Sequence, residues 1–332
     1  MLFFFSLCVC VCSLSIRTTY ISLIVSLFSF LKKKLFSEKY ASLLIGRQAM
    51  LNKFWNYEVL RKYFNTKTEP PHVQLFSQPK CQIHVASWYL LYRWLIFLAW
   101  ISIIFCSLFE FGSYKPQYNW EKWPIYLTNW DLALGLTQSF LGALIVSKRW
   151  KLQKDPAYNI SDMKLTMLEK SYWVFYTVTS SLAVGVTVTY WTAVYNPKIN
   201  YIDPLNIMLH VCNSILMLID LSITSVPIYI KNVWWCLIVV LFYIIFSIIY
   251  YAAGGLDKNG YHYIYKILNW EKPIQTLLIC AGCMTFIVLL HFLLCLFDKL
   301  RDCLYFRITK KTYNVPSIKT DYNVTKKEAE IV

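Results

Sequence analysis

Charged side chains are scarce in this sequence. Asp, Glu, Lys and Arg make up 15 % of the 332 residues, where a soluble domain carries about a quarter. Acidic residues are the scarcer sign, 18 against 33 Lys and Arg. No metal-ligand spacing, phosphate loop or Ser-His-Asp arrangement occurs, so neither a metal nor a cofactor is expected. An internal repeat is also missing. Together these shortages exclude a disordered chain, a solenoid of polar repeats and an ordinary cytosolic enzyme. What is present instead is apolar surface: 57 % hydrophobic residues, 18 % aromatics and a mean hydropathy of +0.44. It comes in long runs, which points to an all-α, multi-pass transmembrane bundle. The aromatics fit the membrane–water interface. The net charge of +15 reads as cytosolic loops facing anionic lipid. Its dispersal over several loops argues against nucleic-acid binding.

Six segments are long and apolar enough to cross a bilayer: 88–111, 124–146, 171–194, 204–226, 233–253 and 275–297. Residues 1–31 are a weaker seventh candidate, interrupted by Arg17 and closed by Lys32, Lys33 and Lys34. Two readings stand for 1–49: a hydrophobic and basic extension with a signal anchor, or a stretch preceding the true start at Met50. The remaining divisions are a cytosolic lead-in at 50–87, the six-span domain at 88–297 and a flexible cytosolic tail at 298–332. Of the 33 Lys and Arg, 25 lie between Lys32 and Lys80, in the 147–170 and 227–232 loops and in the tail, and six lie in the alternate loops. Both ends of the six-span unit are therefore expected in the cytosol.

Cysteine placement agrees with that orientation. None of the eleven Cys falls in the outer loops 112–123, 195–203 and 254–274, so an extracellular disulfide framework is not expected. Cys280 and Cys283 lack a second ligand pair and read as small residues packed between helices. Cys8, Cys10, Cys12, Cys295 and Cys303 are weaker candidates for acylation. The sequons at Asn159 and Asn323 lie in cytosolic segments and should carry no glycan.

Polar groups at membrane depth are costly, so they are the candidate site residues. The second span opens with Thr128, Asn129 and Asp131, and Gln138 comes two turns later. The fourth places Asn206, His210 and Asn213 at i, i+4 and i+7, one helical face, with Asp220 deeper. At ~1.5 Å per residue Thr128 and His210 lie roughly 6 and 9 Å below the outer interface. A Thr hydroxyl is a poor nucleophile until a base takes its proton, and His is the usual base. Asp131, one turn from Thr128, is placed to orient the imidazole. The plainer reading is a Thr bonded to its own helix and a His bonded across a helix pair. His291 reads as packing, and Arg93, Glu110, His72 and His84 as solvated or snorkelling side chains.

The stretches SWYLLYRWLIFLAW, WPIYLTNWDLALGL, LHVCNSILMLIDLSITSVP and IIYYAAGGLDKNGYHYIYKILNWEKP resemble the rolling stone family, over about 51–300. The resemblance implies a multi-pass plasma-membrane protein tied to cell–cell fusion in myoblasts. A more distant likeness is to the androgen-induced-gene family of six-span hydrolases, which cleave esters of hydroxylated fatty acids with a Thr and a His. Their motifs match Leu127-Thr128 and the pair Asn206 and His210. That likeness implies a catalytic Thr128–His210 dyad, and Asn129, Asp131, Asn206 and Asn213 are the supporting residues expected from their places in the two spans. The hydrolases carry a second His where this sequence has Ile207, Met208 and Leu209.

Two functions compete. One is a fusion-associated membrane protein working through an unknown protein partner or membrane lipid. Its outer loops are too short for a large adhesive ectodomain, and 254–274 is a lid, a contact surface or an interfacial belt. The other is an intramembrane hydrolase of lipid esters. A seven-span receptor is disfavoured by the short outer loops. A transporter is disfavoured by the missing repeat.

Overall fold

The computed structural model describes residues 72–312, except 81, 83, 157, 160–163 and 198–200, with side chains described as far as 305. The expectations about residues 1–49, Cys8, Cys10, Cys12, Asn323 and the tail beyond 312 lie outside the described residues.

The described chain is a bundle of six long helices without a named strand. They are α1 (Ser87–Leu108), α2 (Leu127–Leu152), α3 (Met167–Thr189), α4 (Pro204–Ile223), α5 (Val233–Ala252) and α6 (Pro273–Thr312). Local chemistry sets several starts. Thr166 caps α3 in a box with Glu169, whose Oε2 accepts the Thr166 N–H at 2.9 Å. Asp203 accepts the Asn206 N–H at 2.7 Å, and Pro204 occupies the first turn of α4. Pro124 lies in a 3₁₀ turn (Trp120–Ile125), so α2 begins at Leu127, three residues later than the expected span. Arg149 and Lys151 end α2, where cations suit the helix dipole.

Five of the six expected spans, all but α3, are long and apolar enough to cross a membrane. The expected span 171–194 is a helix over Met167–Thr189 that runs on into a π turn, Tyr190–Val194. It packs against α2, α4, α5 and α6. Because it is enclosed by protein, it carries buried Thr177, Thr179, Ser180 and Ser181 where a lipid-facing helix would carry aliphatics. Lipid-type surface lies on the outer helices, for example Leu91, Leu98 and Phe105 of α1 and Trp234, Phe242 and Ile249 of α5.

Charge is buried at one end of the bundle, against the expectation for Arg93. Its side chain is 1 % exposed and pairs with Asp220 at 2.6 Å. Tyr92 donates to the same Asp220 oxygen at 2.9 Å, and the other arm of Arg93 donates to the Tyr172 hydroxyl at 3.1 Å. Snorkelling fails here because α2 leaves a hole: a Cβ on Gly142 would stand 1.8 Å from the guanidinium. The lead-in is also part of the fold. Phe76 is buried against Tyr172 and Trp173. Arg149 donates to Gln74 O at 3.1 Å and Ser77 Oγ at 2.8 Å. Lys80 pairs with Asp302 of α6 at 2.5 Å. His291 is fully buried between the Ser181 hydroxyl, 3.0 Å away, and the Tyr229 carbonyl at 3.1 Å. It is a packing residue, as expected.

Candidate functional site

The opposite end of the bundle gathers the start of α2, the end of α3, the start of α4 and the segment joining α5 to α6. Thr128 is the second residue of α2, is buried, and lines a cavity. The preceding Leu127 N–H donates to the Tyr265 hydroxyl at 3.1 Å, and the Thr128 side chain bonds the same hydroxyl. Asn129 points elsewhere. Its Oδ1 accepts from Ser107 at 3.2 Å and its Nδ2 donates to Trp123 O at 2.7 Å, which pins the end of α1 and the 3₁₀ turn to α2.

The single face expected for Asn206, His210 and Asn213 is divided. Met208–Cys212 form a π turn, and its extra residue rotates the C-terminal part of α4 relative to the N-terminal part. Before the turn, Asn206 donates to the Tyr190 hydroxyl at 2.6 Å and to Tyr201 O at 2.9 Å. Within it, the His210 ring lies parallel to the Tyr190 ring, centroids 3.4 Å apart, and its Nδ1 has no hydrogen-bond partner. Beyond it, Asn213 turns to α2 and donates to Asp131 Oδ2 at 2.6 Å. Asp131 therefore holds Asn213 and does not orient His210. No hydrogen bond joins Thr128 to His210. What connects them is Tyr190, which stacks on His210 and shares the cavity wall with Thr128.

The enclosed part of the cavity is about 100 Å³, and about 810 Å³ is reached only when the open mouth is included, so the closed space is smaller than the ~300–1,000 Å³ of typical small-molecule sites. Its rim carries Thr128, Thr189, Tyr190 and Tyr265, and its deeper wall carries Val186, Val240, Phe286 and Ile287. Cys280 and Cys283 face it from α6, and no disulfide joins the described cysteines. Tyr190, Tyr243 and Tyr265 are the wall residues that periodicity missed. The tyrosine-rich run 261–265 was the signal for Tyr265, which enters the cavity from the connecting segment. Among the described residues no group of three or more His, Cys, Asp or Glu comes together as a metal site.

A clasp holds that connecting segment in place. Glu110, just past the end of α1, has φ +54°, the left-handed position that glycine usually takes where a helix closes with a 6→1 bond, here Phe111 N–H to Cys106 O at 2.9 Å. Its carboxylate accepts from Lys258 Nζ at 2.5 Å, from the Tyr118 N–H at 3.0 Å and from the Gln117 N–H. Burial works to raise its pKa, but the bonds from Lys258, Tyr118 and Gln117 prevail and hold it below the usual range. A carboxylate with a lowered folded pKa contributes stability that is present above the unfolded value and lost as pH falls through the folded one. Amide hydrogen exchange over 254–272, relative to its intrinsic rate at each pH, should therefore accelerate as pH drops below about 4. Glu110→Gln should show that faster exchange at neutral pH and lose the acid dependence. Unchanged exchange in the variant would remove the clasp.

Comparison with known proteins gives similar boundaries. The model of the family described as protein rolling stone matches residues 48–316. Protein rolling stone of Drosophila melanogaster is 29 % identical over 240 residues, covering 69 % of this chain and 83 % of that protein. No solved structure matches the chain.

Proposed function

The chain belongs to the rolling stone family, and from that premise we propose that it acts at the plasma membrane in cell–cell fusion, as in myoblasts. In this reading all six helices span the bilayer and the lead-in and tail are cytosolic. The end carrying Glu110 and Lys258 faces outward. The observation that carries the reading is the aromatic display on that end. Tyr114, Tyr118 and Trp120 are each about two-thirds exposed, on a segment ordered by the Glu110 clasp. Surface of this kind suits contact with a partner protein or the headgroups of an apposed bilayer.

A second reading, hydrolysis of a lipid ester by Thr128 with His210 as base, is favoured by Thr128 lying on the cavity wall beside Tyr190. One experiment addresses both. Myoblasts lacking the protein are re-supplied with wild type, with a Tyr114→Ala/Tyr118→Ala/Trp120→Ala triple, with Thr128→Ala or with His210→Ala, at matched surface delivery. Fusion index and hydrolysis of a lipid-ester panel by the membranes are then read. The fusion reading expects the index to fall without the protein, to recover with wild type and to stay low with the triple. Normal fusion without the protein overturns it. Hydrolysis by wild type that both single variants abolish would establish the second reading, and none by well-delivered wild type ends it. Accessibility of an engineered glycan in 254–272, with Asn159 unmodified, checks the orientation.

A further inference from the structure

We propose that Asp131 of α2 and Asn213 of α4 form a proton-binding site inside the bundle: the carboxyl group keeps its proton at neutral pH and closes a two-bond ring with the amide. The inference stands apart from both readings above, since it needs neither fusion activity nor a nucleophilic Thr128.

Three observations carry it. The first is charge. Asp131 and Asp220 are both fully buried. Asp220 has the guanidinium of Arg93 beside it, whereas among the described residues no Lys, Arg or His forms an ion pair with Asp131. Arg93 itself is out of reach. It lies against Gly142, eleven residues farther along α2, which is about 16 Å. Nearer the level of Asp131 stand Cys106 of α1, Tyr190 at the end of α3, His210 and Cys212 of the π turn, and Glu121 and Lys122 of the 3₁₀ turn. A thiol or a phenol is never positive. The Lys122 ammonium donates to the Tyr250 hydroxyl at 3.1 Å, and the His210 ring is stacked on Tyr190. Ionised Asp131 would therefore be a lone charge in a dry interior, and such a group neutralises instead.

The second is the count of donors and acceptors. Asn213 Nδ2 donates to Asp131 Oδ2 at 2.6 Å. Asp131 Oδ1 and Asn213 Oδ1 are both buried, and both lack a hydrogen-bond partner. With the carboxylate ionised, these are two acceptors on adjoining groups and no donor serves either. A proton on Asp131 Oδ1 makes that oxygen a donor to Asn213 Oδ1. The carboxyl and the amide then exchange two bonds, and both orphaned atoms are satisfied at once. The third is the place of the irregularity in α4. The π turn Met208–Cys212 ends immediately before Asn213, and its extra residue swings Asn213 off the face of Asn206 and onto α2. Such turns recur at functional sites. The bound proton thus ties the C-terminal part of α4 to α2. Its release opposes two acceptors and loosens that contact.

The test uses the full chain in phosphatidylcholine nanodiscs. Infrared difference spectra of wild type against Asp131→Asn should show a carboxylic-acid C=O band at neutral pH that only wild type carries. Asn213→Leu removes the ring partner and should move that band to higher frequency. Each variant gives a band change of its own, so the reading does not hang on one of them folding. Melting is the second measurement. Asp131→Asn can close the same ring with two amide donors, so it should melt as wild type does at neutral pH. Wild type loses its proton and its ring as pH rises, so Asp131→Asn should become the more stable of the two toward alkaline pH. Asn213→Leu should lower the folding constant about tenfold, as for one or two lost hydrogen bonds. Thr137→Ala, on the exposed side of α2, is the control and should leave the band in place. Carboxylate bands in place of the acid band at neutral pH would overturn the proposal. So would an Asp131→Asn protein that fails to fold or melts as low as Asn213→Leu. Stabilisation of wild type by sodium over choline at equal ionic strength, abolished in Asp131→Asn, would overturn it too, by making the occupant a metal cation.

Discussion

Arg93→Met and Asp220→Leu, made singly, should each destabilise the bundle by about 3–5 kcal/mol, because each strands a desolvated charge. The two side chains are 1 % exposed and 2.6 Å apart, and they join α1 to α4 across 127 residues of sequence. The double variant Arg93→Met/Asp220→Leu should recover most of the loss, since two apolar side chains of similar volume need no partner. Recovery should be incomplete, because Tyr92 and Tyr172 would each lose a bond to the pair. Thermal melting in detergent, followed by monodisperse elution, measures all three proteins. A single variant as stable as wild type would show that the pair does not bind α1 to the bundle. Gly142→Ala should resemble a weaker form of Arg93→Met, since its methyl would displace a guanidinium held by Asp220 and Tyr172.

The next largest loss is expected at Trp100, which is fully buried where α1 crosses α2. Trp100→Ala should cost about 3–5 kcal/mol through lost burial and the cavity left behind. The ring lies on Gly135, where an added Cβ would fall 2.5 Å from it. Gly135→Ala should therefore destabilise by about 1–3 kcal/mol, although alanine is the better helix former by about 1 kcal/mol. Context decides the sign. In the background of Trp100→Ala the clash is gone, and Gly135→Ala should become neutral or stabilising. Melting the four proteins of that cycle gives the coupling directly. Additive effects would mean that ring and glycine do not share the space.

The helices and their order were legible because long apolar runs report on burial in lipid, whatever packs against them. Helix α3 shows where that signal weakens. Its Thr177, Thr179 and Ser181 lower the hydropathy because neighbouring helices surround it, and hydropathy registers composition without registering neighbours. Asp220 was legible as a costly group, but its partner was not. Arg93 lies near the start of α1, where a long cation ordinarily reaches out to water, and only the gap at Gly142 turns it inward.

The candidate site divides along similar lines. Thr128 was identified from its place at the opening of a span, and it does line the cavity. The shared face of Asn206, His210 and Asn213 assumed 3.6 residues per turn, and the π turn Met208–Cys212 breaks that count. Asn213 then finds Asp131, and His210 finds Tyr190. Nothing in LHVCNS announces a widened turn. Tyr190 itself sits in a second π turn, at the end of α3, so the two irregular turns meet through one ring.

The hydroxyl-rich core of α3 has a consequence for how the chain is made. A helix leaves the ribosome before its later neighbours exist, and α5 and α6, which flank α3, are synthesised after it. During that interval its side chains lack two of the helices that enclose them in the finished bundle. Ser180 donates to Tyr176 O at 2.6 Å and Ser181 to Thr177 O at 3.4 Å, each within α3. Such bonds within one helix form as soon as the helix does, so these two polar groups are partnered before the later helices arrive. Only when α6 arrives does Ser181 also meet His291. The last helix thus completes a contact that the third began.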